Sequence, residues 1–337
     1  TVFFIALFLF FISLASNVFA QTPITTCSQI TQPGEYYLAN DIINSGASAC
    51  INITVDNVIL DCQGHTIDGT DAFRTYGIYV SRSSSTITNI TIKNCVLTDW
   101  YYGLYLYYSN SNTLTNITYN SNSFGLYLYS SGSNTLTNIT ANSNNYGLYL
   151  YYSNSNTLTN ITSNSNYYGL YLYYSNSNTL TNITANSNYY GLYLYYSDLT
   201  KIQDSTFKDN TYWDVYFSTD SNWKQEFINV IGTDDKPIVY YNSSVTIENW
   251  YNNVSEIILG NADYSVLRNI FMNRSGTKNN GILLEHVDYA NLTNITIMNY
   301  YSGLYLEYSN SNTLTNITVN SNNYGLYLES SNSNTLT

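Results

Sequence analysis

Apolar and polar positions repeat along the chain with a period of 22 residues, and a glycine marks each repeat. The glycines lie at residues 103, 125, 147, 169 and 191 and again at 281, 303 and 325. In the unit that begins at Gly147, two leucines alternate with two tyrosines over residues 148–151. Such alternation is typical of a β-strand, whose successive side chains point to opposite faces. We therefore predict one strand per repeat, with leucines inward and tyrosines outward.

The second half of the repeat predicts two more short strands. After a Ser/Asn turn at residues 153–156, residues 157–159 favour a strand with Leu158 inward. Leu158 and Ile161 are three residues apart, which breaks the period of two. We therefore expect Asn160 at a corner, because Asn tolerates the left-handed conformation. Ile161 then begins a third strand.

Three short strands per 22 residues, each stacked on its equivalent in the next repeat, predict an all-β protein, a right-handed parallel β-helix. A leucine-rich repeat can have a similar period. It needs its leucines and asparagine in one contiguous stretch and a helical return, whereas Asn, Ser and Tyr fill the rest of this repeat. The β-helix is therefore the expected fold.

The repeat pattern also predicts the domain organisation. We expect an N-terminal cap at residues 21–50 and a β-helix at 51–337, with regular coils at 103–198 and 281–337. Residues 199–280 keep the alternating pattern, so we interpret them as diverged coils of the same solenoid. The sequence stops inside a repeat at Thr337, which indicates a β-helix truncated at its C-terminus.

Residues 1–20 have the pattern of a secretory signal peptide. An apolar run of about 15 residues is followed by small residues, and cleavage is expected after Ala20. A membrane anchor is the alternative, but the run is short for a bilayer span of about 20 residues. We expect a secreted or cell-surface protein with no membrane insertion after signal cleavage.

Four segments of the N-terminal part carry a family resemblance: residues 27–30, 34–42, 50–53 and 57–69. They resemble the beginning of NosD-like right-handed β-helix proteins, and the 22-residue coils resemble the parallel β-helix repeats of that group. The resemblance implies the β-helix fold. It leaves activity open, since the superfamily includes carbohydrate-binding surface proteins, sugar hydrolases, lyases and epimerases. NosD-like proteins are also linked with copper, but two His and two Met far apart in sequence predict no metal site, and we expect no cofactor.

All four cysteines lie in the first hundred residues. Behind an export signal an even count favours disulfides. We predict pairs Cys27 with Cys50 and Cys62 with Cys95. The alternative for the second pair is two buried thiols stacked on successive coils.

Composition excludes several partners. Only 9% of residues are charged, the net charge is −12, and residues 100–197 contain no charged side chain. Nucleic acids and anionic membranes require clustered Lys or Arg, so neither is an expected partner.

The repeats place tyrosines in two outward rows, because stacked coils set equivalent residues about 4.8 Å apart. The rows are Tyr105, Tyr127, Tyr149, Tyr171 and Tyr193, and Tyr107, Tyr129, Tyr151, Tyr173 and Tyr195. In the last repeats the second row continues as Glu307 and Glu329. Two aromatic rows on an uncharged sheet form a candidate carbohydrate-binding face. Two alternatives remain open: a purely stabilising aromatic ladder, and packing against another protein.

Catalytic residues are hard to find in this sequence. Asp61, Asp68 and Asp71 lie near His65, and two acids occur together at 234–235. The Asn-Thr-Asp, Gly-His-Gly and Arg-x-Lys elements of polygalacturonase-like enzymes are absent from the sequence. We predict a non-enzymatic surface protein that binds a polysaccharide, a cell-surface glycan or a neighbouring surface protein. The alternative is a polysaccharide-degrading hydrolase or lyase of the same fold.

Twelve Asn-x-Ser/Thr sequons occur in the sequence. Four of them, at residues 116, 138, 160 and 182, fall in one column, where rungs about 4.8 Å apart leave no room for a glycan on each. For this column we favour an inward-facing ladder of Asn amides. Asn242, Asn253 and Asn273, in diverged turns, are the glycosylation candidates.

Overall fold

A computed structural model describes residues 21–218, 224–276 and 278–337 as a parallel β-solenoid of about 14 turns. The predicted signal peptide at 1–20 lies outside the described residues. The all-β fold and the 22-residue coil are confirmed: Thr135, for example, pairs with Thr157, and Tyr127 pairs with Tyr149, both in parallel register. In the described residues, no helix is both long and apolar enough to cross a membrane.

The coils form two consecutive stacks, each with two sheets. We name the sheets of each stack the tyrosine sheet and the threonine sheet, after the residues of the regular coils. The first stack has nine strands in its tyrosine sheet: Ser28–Ile30, Ala49–Ile53, Tyr76–Val80, Tyr102–Tyr107, Phe124–Tyr129, Tyr146–Tyr151, Tyr168–Tyr173, Tyr190–Tyr195 and Trp213–Ser218. Its threonine sheet has eleven strands: Thr22–Ile24, Gly34–Leu38, Val58–Asp61, Thr66–Asp68, Ile90–Thr98, Thr113–Asn120, Thr135–Asn142, Thr157–Asn164, Thr179–Thr184, Lys201–Thr206 and Glu226–Ile231.

The second stack is shorter. Its tyrosine sheet has five strands: Ile238–Tyr241, Glu256–Gly260, Asn280–Glu285, Ser302–Glu307 and Tyr324–Glu329. Its threonine sheet also has five: Thr246–Glu248, Val266–Asn273, Asn291–Met298, Thr313–Asn320 and Thr335–Leu336. A two-stranded ladder joins Ile87–Thr88 to Ser109–Asn110, and a single 3₁₀ turn spans Thr233–Asp235.

The second and third predicted strands merge in the regular coils. Thr157–Asn164 is one strand that bends at Asn160, which has the expected left-handed φ of 55°. In the first coils the two parts are separate, since Val58–Asp61 and Thr66–Asp68 both pair with Ile90–Thr98. The predicted leucines point inward, and Leu148, Leu150 and Leu158 are fully buried. The core is thus a stack of aliphatic layers.

Both predicted disulfides are present, Cys27 to Cys50 and Cys62 to Cys95. Both lie in the first coils. Residues 21–50 follow the solenoid pattern as well, because Thr22–Ile24 pairs with Gly34–Leu38, and Ser28–Ile30 pairs with Ala49–Ile53. The disulfides therefore tie together strands that already pair as coils.

The hydrogen-bonded ladders are interrupted once, within the section that we expected to continue the same solenoid. No strand pairing among the described residues joins the tyrosine sheet that ends at Ser218 to the one that begins at Ile238. Tyr240 of the second stack instead packs 5.8 Å from Phe217 and 5.4 Å from Phe227, measured between ring centroids. Ile258 and Leu283, on the same outward face as Tyr240, are fully buried in the core of the first stack. The second stack therefore covers the end of the first with the outward face of its tyrosine sheet.

The period of glycines has a steric cause. A Cβ atom on Gly169 would lie 2.6 Å from the carbonyl oxygen of Gly191 in the next coil, and Gly125 and Gly147 have the same contact. Any larger residue would push adjacent coils apart at that point.

We predict that Gly169→Ala destabilises the protein by roughly 1–3 kcal/mol, because backbone must move to accept the methyl group. The control is Gly46→Ala, since no atom lies within 4 Å of that Cβ position. Urea denaturation followed by circular dichroism gives the comparison. Equal midpoints for the two variants would contradict the steric explanation.

Candidate functional site

The ten tyrosines of the predicted face form two ladders, in which the rings stack face to face except for Tyr171 and Tyr193, which meet at 85°. Tyr127 and Tyr149 lie 4.9 Å apart at 4° between ring planes, and Tyr173 and Tyr195 lie 4.9 Å apart at 6°. Most ring faces are therefore covered by the ring of the next coil. Within the ladders, the edges of the rings rather than their faces point to solvent. The ladders therefore do not present a flat aromatic surface on which a sugar ring could stack.

A third ladder lies beside these two and escaped the sequence prediction. It consists of the residues that precede each glycine: Tyr102, Phe124, Tyr146, Tyr168, Tyr190 and Trp213. Phe124 and Tyr146 are stacked at 4.7 Å and 6°. The alternation rule missed this ladder because Gly147 and Leu148 are consecutive buried positions, which shifts Tyr146 to the outward face. We call the three ladders together the tyrosine slab.

Burial within the slab raises the pKa of Tyr149, and it raises the pKa of Tyr168 to about 12. Neighbouring tyrosine hydroxyls add to the effect in both cases. The phenols stay protonated at physiological pH, so this surface is neutral and offers hydroxyl groups as hydrogen-bond donors and acceptors.

A cleft of about 230 Å³ opens where the slab meets the second stack. Its aromatic and polar lining comes from both stacks: Tyr212, Trp213, Tyr216, Tyr301, Ser302, Tyr305, Tyr324, Tyr327 and Glu329. We call it the junction cleft. Tyr212 and Tyr301 join its two sides through a hydrogen bond between their hydroxyl groups and through rings 4.4 Å apart. In the part of the chain that the structure describes, the buried indole Nε1 of Trp213 has no hydrogen-bond partner.

A buried polar cluster fixes the two stacks together behind the cleft. Arg274 Nη2 lies 3.4 Å from Asp214 Oδ2, and both side chains are almost fully buried. Asn279 accepts a hydrogen bond from the Asp214 backbone at 3.0 Å and donates one to Glu256 Oε2 at 3.0 Å. Burial raises the pKa of Glu256, and the nearby Asp214 carboxylate adds to the shift. Breaking such a cluster leaves uncompensated charges, so it holds the geometry of the cleft.

Three glutamates form a column beside the cleft, with Glu285 paired to Glu307 and Glu307 paired to Glu329. Glu285 and Glu307 are both buried and occupy adjacent rungs of this column. Burial raises the pKa of Glu307. Tyr305 donates a hydrogen bond to Glu329 Oε2 at 2.8 Å, which points this exposed carboxyl toward the cleft. The sequence showed Glu307 and Glu329 as replacements in a tyrosine row, but not the cleft that they border.

The other acids considered in the sequence are spread over the surface of the solenoid. Asp61 accepts hydrogen bonds from Asn94 and Gln63, and Asp235 pairs with Lys208 at 2.6 Å. His65 Nδ1 lies 2.9 Å from Asp41 Oδ1. None of these three groups lines the junction cleft.

The predicted amide column at residues 116, 138, 160 and 182 forms, but it faces solvent. Asn138 Nδ2 donates to Asn116 Oδ1 at 3.0 Å, and Asn160 Nδ2 donates to Asn138 at 3.0 Å. The prediction that the column faces inward was wrong, because the left-handed corner turns these side chains outward. A buried ladder exists elsewhere in the repeat, at Asn122, Asn144, Asn166, Asn188 and Asn210.

The three glycosylation candidates differ in exposure. Asn242 and Asn253 are exposed, whereas Asn273 is half-buried and accepts a hydrogen bond from Asn299 at 2.8 Å. Their modification stays a prediction.

These features define a parallel β-solenoid protein with an aromatic surface and a cleft between two stacks. The chain belongs to the NosD family: the family model described as "Periplasmic copper-binding protein (NosD)" matches residues 51–262 and 229–337. No curated protein matches the chain.

Solved structures share the fold at low identity. DFA-IIIase from Arthrobacter chlorophenolicus A6 in complex with GF2 has 11% identity and a TM-score of 0.50, with 88% of this chain and 82% of that chain covered. The Azotobacter vinelandii mannuronan C-5 epimerase AlgE6 A-module has 15% identity and a TM-score of 0.48, with 90% and 91% covered. PfbA, a surface adhesin of Streptococcus pneumoniae, has 11% identity and a TM-score of 0.35, with 88% and 82% covered. At these identities the likeness concerns the fold alone.

The family description names copper, and the candidate donors in this chain are its cysteine, methionine and histidine side chains. All four cysteines are in disulfides, and Met272 is buried in the core of the second stack. His286 stacks on Tyr308 in the second stack, whereas His65 lies in the first coils. Copper sites need His, Cys or Met side chains brought together, and the described residues bring no such set together. The residues present do not fit a copper centre.

The raised pKa of Glu307 predicts a pH dependence of stability. Because the folded protein raises the pKa of Glu307, its contribution is present at low pH and is lost as pH rises through the folded pKa. Glu307→Gln stays neutral, so we predict that its free energy of unfolding rises relative to wild type by about 1 kcal/mol or more between pH 4 and pH 8. Urea midpoints at both pH values measure this.

Glu329→Gln is the matched control, since it makes the same change on an exposed rung of the same column. The pH dependence of its free energy of unfolding should follow that of the wild type more closely. Parallel profiles for Glu307→Gln and wild type would contradict the raised pKa of Glu307.

Proposed function

We propose that this chain is an extracytoplasmic β-helix surface protein that binds neutral polysaccharide at the junction cleft. The observation that carries this proposal is the lining of the cleft: aromatic rings from both stacks and a carboxyl group held by Tyr305. Sugar sites combine aromatic surface for the apolar ring face with a few placed polar groups for the hydroxyls. Two disulfides agree with an oxidising compartment outside the cytoplasm.

Charge favours a neutral ligand. The chain carries a net charge of −12, and the slab next to the cleft has no charged side chain over residues 100–197. An acidic polysaccharide would be repelled by the net charge, and the slab supplies no cation to pair with it. A neutral glycan, free or on a cell surface, fits better. A neighbouring surface protein remains the alternative partner for the slab.

The glutamate column favours a second candidate function, glycan hydrolysis. Glu307 is a buried carboxyl with a raised pKa, and Glu329 stands one rung away, about 4.8 Å by the spacing of adjacent strands. Retaining glycosidases use two carboxyl groups at about 5 Å, one of them protonated. Against this candidate, Glu307 is buried behind the cleft lining rather than part of it.

We predict that Tyr327→Ala weakens the binding of neutral hexasaccharides about fivefold, since one aromatic contact is worth roughly 1 kcal/mol. Isothermal titration calorimetry with cellohexaose, xylohexaose and chitohexaose provides the measurement. Tyr289→Ala is the control, because Tyr289 is also an exposed tyrosine of the second stack but lies outside the cleft.

The same incubations separate binding from hydrolysis. We expect no new reducing ends over a day. Release of reducing ends by the wild type, lost in both Glu307→Gln and Glu329→Gln, would establish the enzyme instead. Absence of binding to all three oligosaccharides would refute the proposed function.

A further inference from the structure

A fourth column of side chains lies at the turn that follows the tyrosine strand, one residue beyond the outer ladder. In the regular coils of the first stack its occupants are Tyr108, Ser130, Tyr152, Tyr174 and Tyr196. All five have a left-handed backbone, with φ between 46° and 49°. This conformation is costly for a bulky residue, yet four of the five coils place a tyrosine there.

The tyrosines of this column stack on one another at the spacing of the coils. Tyr152 and Tyr174 lie 5.1 Å apart at 12°, and Tyr174 and Tyr196 lie 4.8 Å apart at 8°. Each ring also stands edge-on to the outer ladder, as Tyr152 does to Tyr151 at 4.6 Å and 85°. The column is therefore an ordered ladder with one ring per coil.

Ser130 replaces one ring of this ladder without changing the backbone. Its N–H donates to Tyr151 O at 2.9 Å, as the N–H of Tyr152 does to Tyr173 O at 2.9 Å. Two residues further on, Gly132 stands where the following coils have Asn154 and Asn176. This coil thus carries two small, half-buried residues where the following coils carry Tyr and Asn, and the ladder lacks one aromatic ring at this rung.

The opening has the dimensions of a single ring. Tyr108 and Tyr152 belong to the coils on either side of the Ser130 coil, so they are about 9.6 Å apart by the spacing of adjacent strands. A tyrosine in the Ser130 coil would place one ring between them. Tyr108 and Tyr152 are 44% and 47% exposed, so both walls are accessible. Tyr129 forms the floor, in edge contact with Tyr108 at 5.6 Å and 64°. Unlike the interior of the slab, this position offers two ring faces to a ligand.

We propose that the gap at Ser130 is a second glycan subsite, which takes one pyranose ring of a neutral polysaccharide between Tyr108 and Tyr152. The sugar ring replaces the missing tyrosine ring, with its apolar faces toward the two walls and its hydroxyls toward solvent. The nature of the occupant rests on the proposed function; the gap itself is a property of the ladder. The subsite lies at the edge of the slab, several coils from the junction cleft, so one long chain can contact both.

The test fills the gap with the residue that the other coils use. Ser130→Tyr is expected to fold normally, because the same backbone carries tyrosine in four neighbouring coils. The background is Tyr327→Ala, in which the junction cleft is weakened, so that the remaining binding reports on the gap. Calorimetry and ligand-observed NMR with cellohexaose, xylohexaose and chitohexaose are the readouts, with Ser130→Ala as the control.

We expect Ser130→Tyr to reduce the remaining affinity at least tenfold, and Ser130→Ala to leave it within twofold. Circular dichroism and the melting temperature verify that the ladder is intact in both variants. Binding that is unchanged in Ser130→Tyr would overturn the subsite while leaving the junction cleft in place. Binding of indole but of no sugar would overturn the glycan assignment, and absence of binding by the wild type would overturn the proposed function together with the subsite.

Discussion

The structure depends on the parallel hydrogen bonding of each coil to the next in a fixed 22-residue register. The backbone closes this register because two demands are met in each regular coil. Glycine lets adjacent coils approach where a Cβ would meet a carbonyl oxygen, as at Gly147 and Gly169. Residues such as Asn160 turn the chain in the left-handed conformation. Side chains reinforce the same register, since Ser153 Oγ accepts from the backbone of Ser131 at 3.0 Å, and Asn166 Oδ1 accepts from that of Asn144 at 2.8 Å.

Strict register explains the unusual composition. Identical residues stand about 4.8 Å apart in every column, so a repeated charge would face a like charge above and below. Tyrosine rings, amides and hydroxyls instead attract their own kind, and they occupy most of the outward columns of the regular coils. The column of Glu285, Glu307 and Glu329 departs from this rule, and burial raises the pKa of Glu307 within it. The column lies beside the junction cleft, which is one reason to place function there.

Much of the fold could be predicted from the sequence because it is encoded locally. The period of glycine, the inward leucines, the corner at Asn160 and both disulfides follow from spacing and residue type. The direction of the Asn116 column did not, because a left-handed corner reverses the side chain relative to simple alternation. The face-to-face stacking of Tyr127 on Tyr149 is likewise a matter of side-chain torsion rather than of sequence pattern.

The junction cleft had no signal in the repeat. It arises from contacts between residues 212–216 and 301–329, which are far apart in the chain and brought together by the single break between the stacks. In the sequence, only the change from tyrosine to glutamate in the last coils indicated the position of this cleft. Periodicity therefore predicts what the coils share, whereas the candidate sites lie where a coil departs from its neighbours.

Disulfide cross-linking across the threonine sheet tests the register most directly. Thr137 pairs with Thr159 in the next coil, and Thr181 lies one coil further. The native cysteines are all paired, so a double cysteine variant at 137 and 159 should close rapidly under mild oxidation. The pair at 137 and 181, about 9.6 Å apart across two rungs, should not close. Equal cross-linking of the two pairs, or none in the first, would contradict the register on which the ladders and both proposed sites depend.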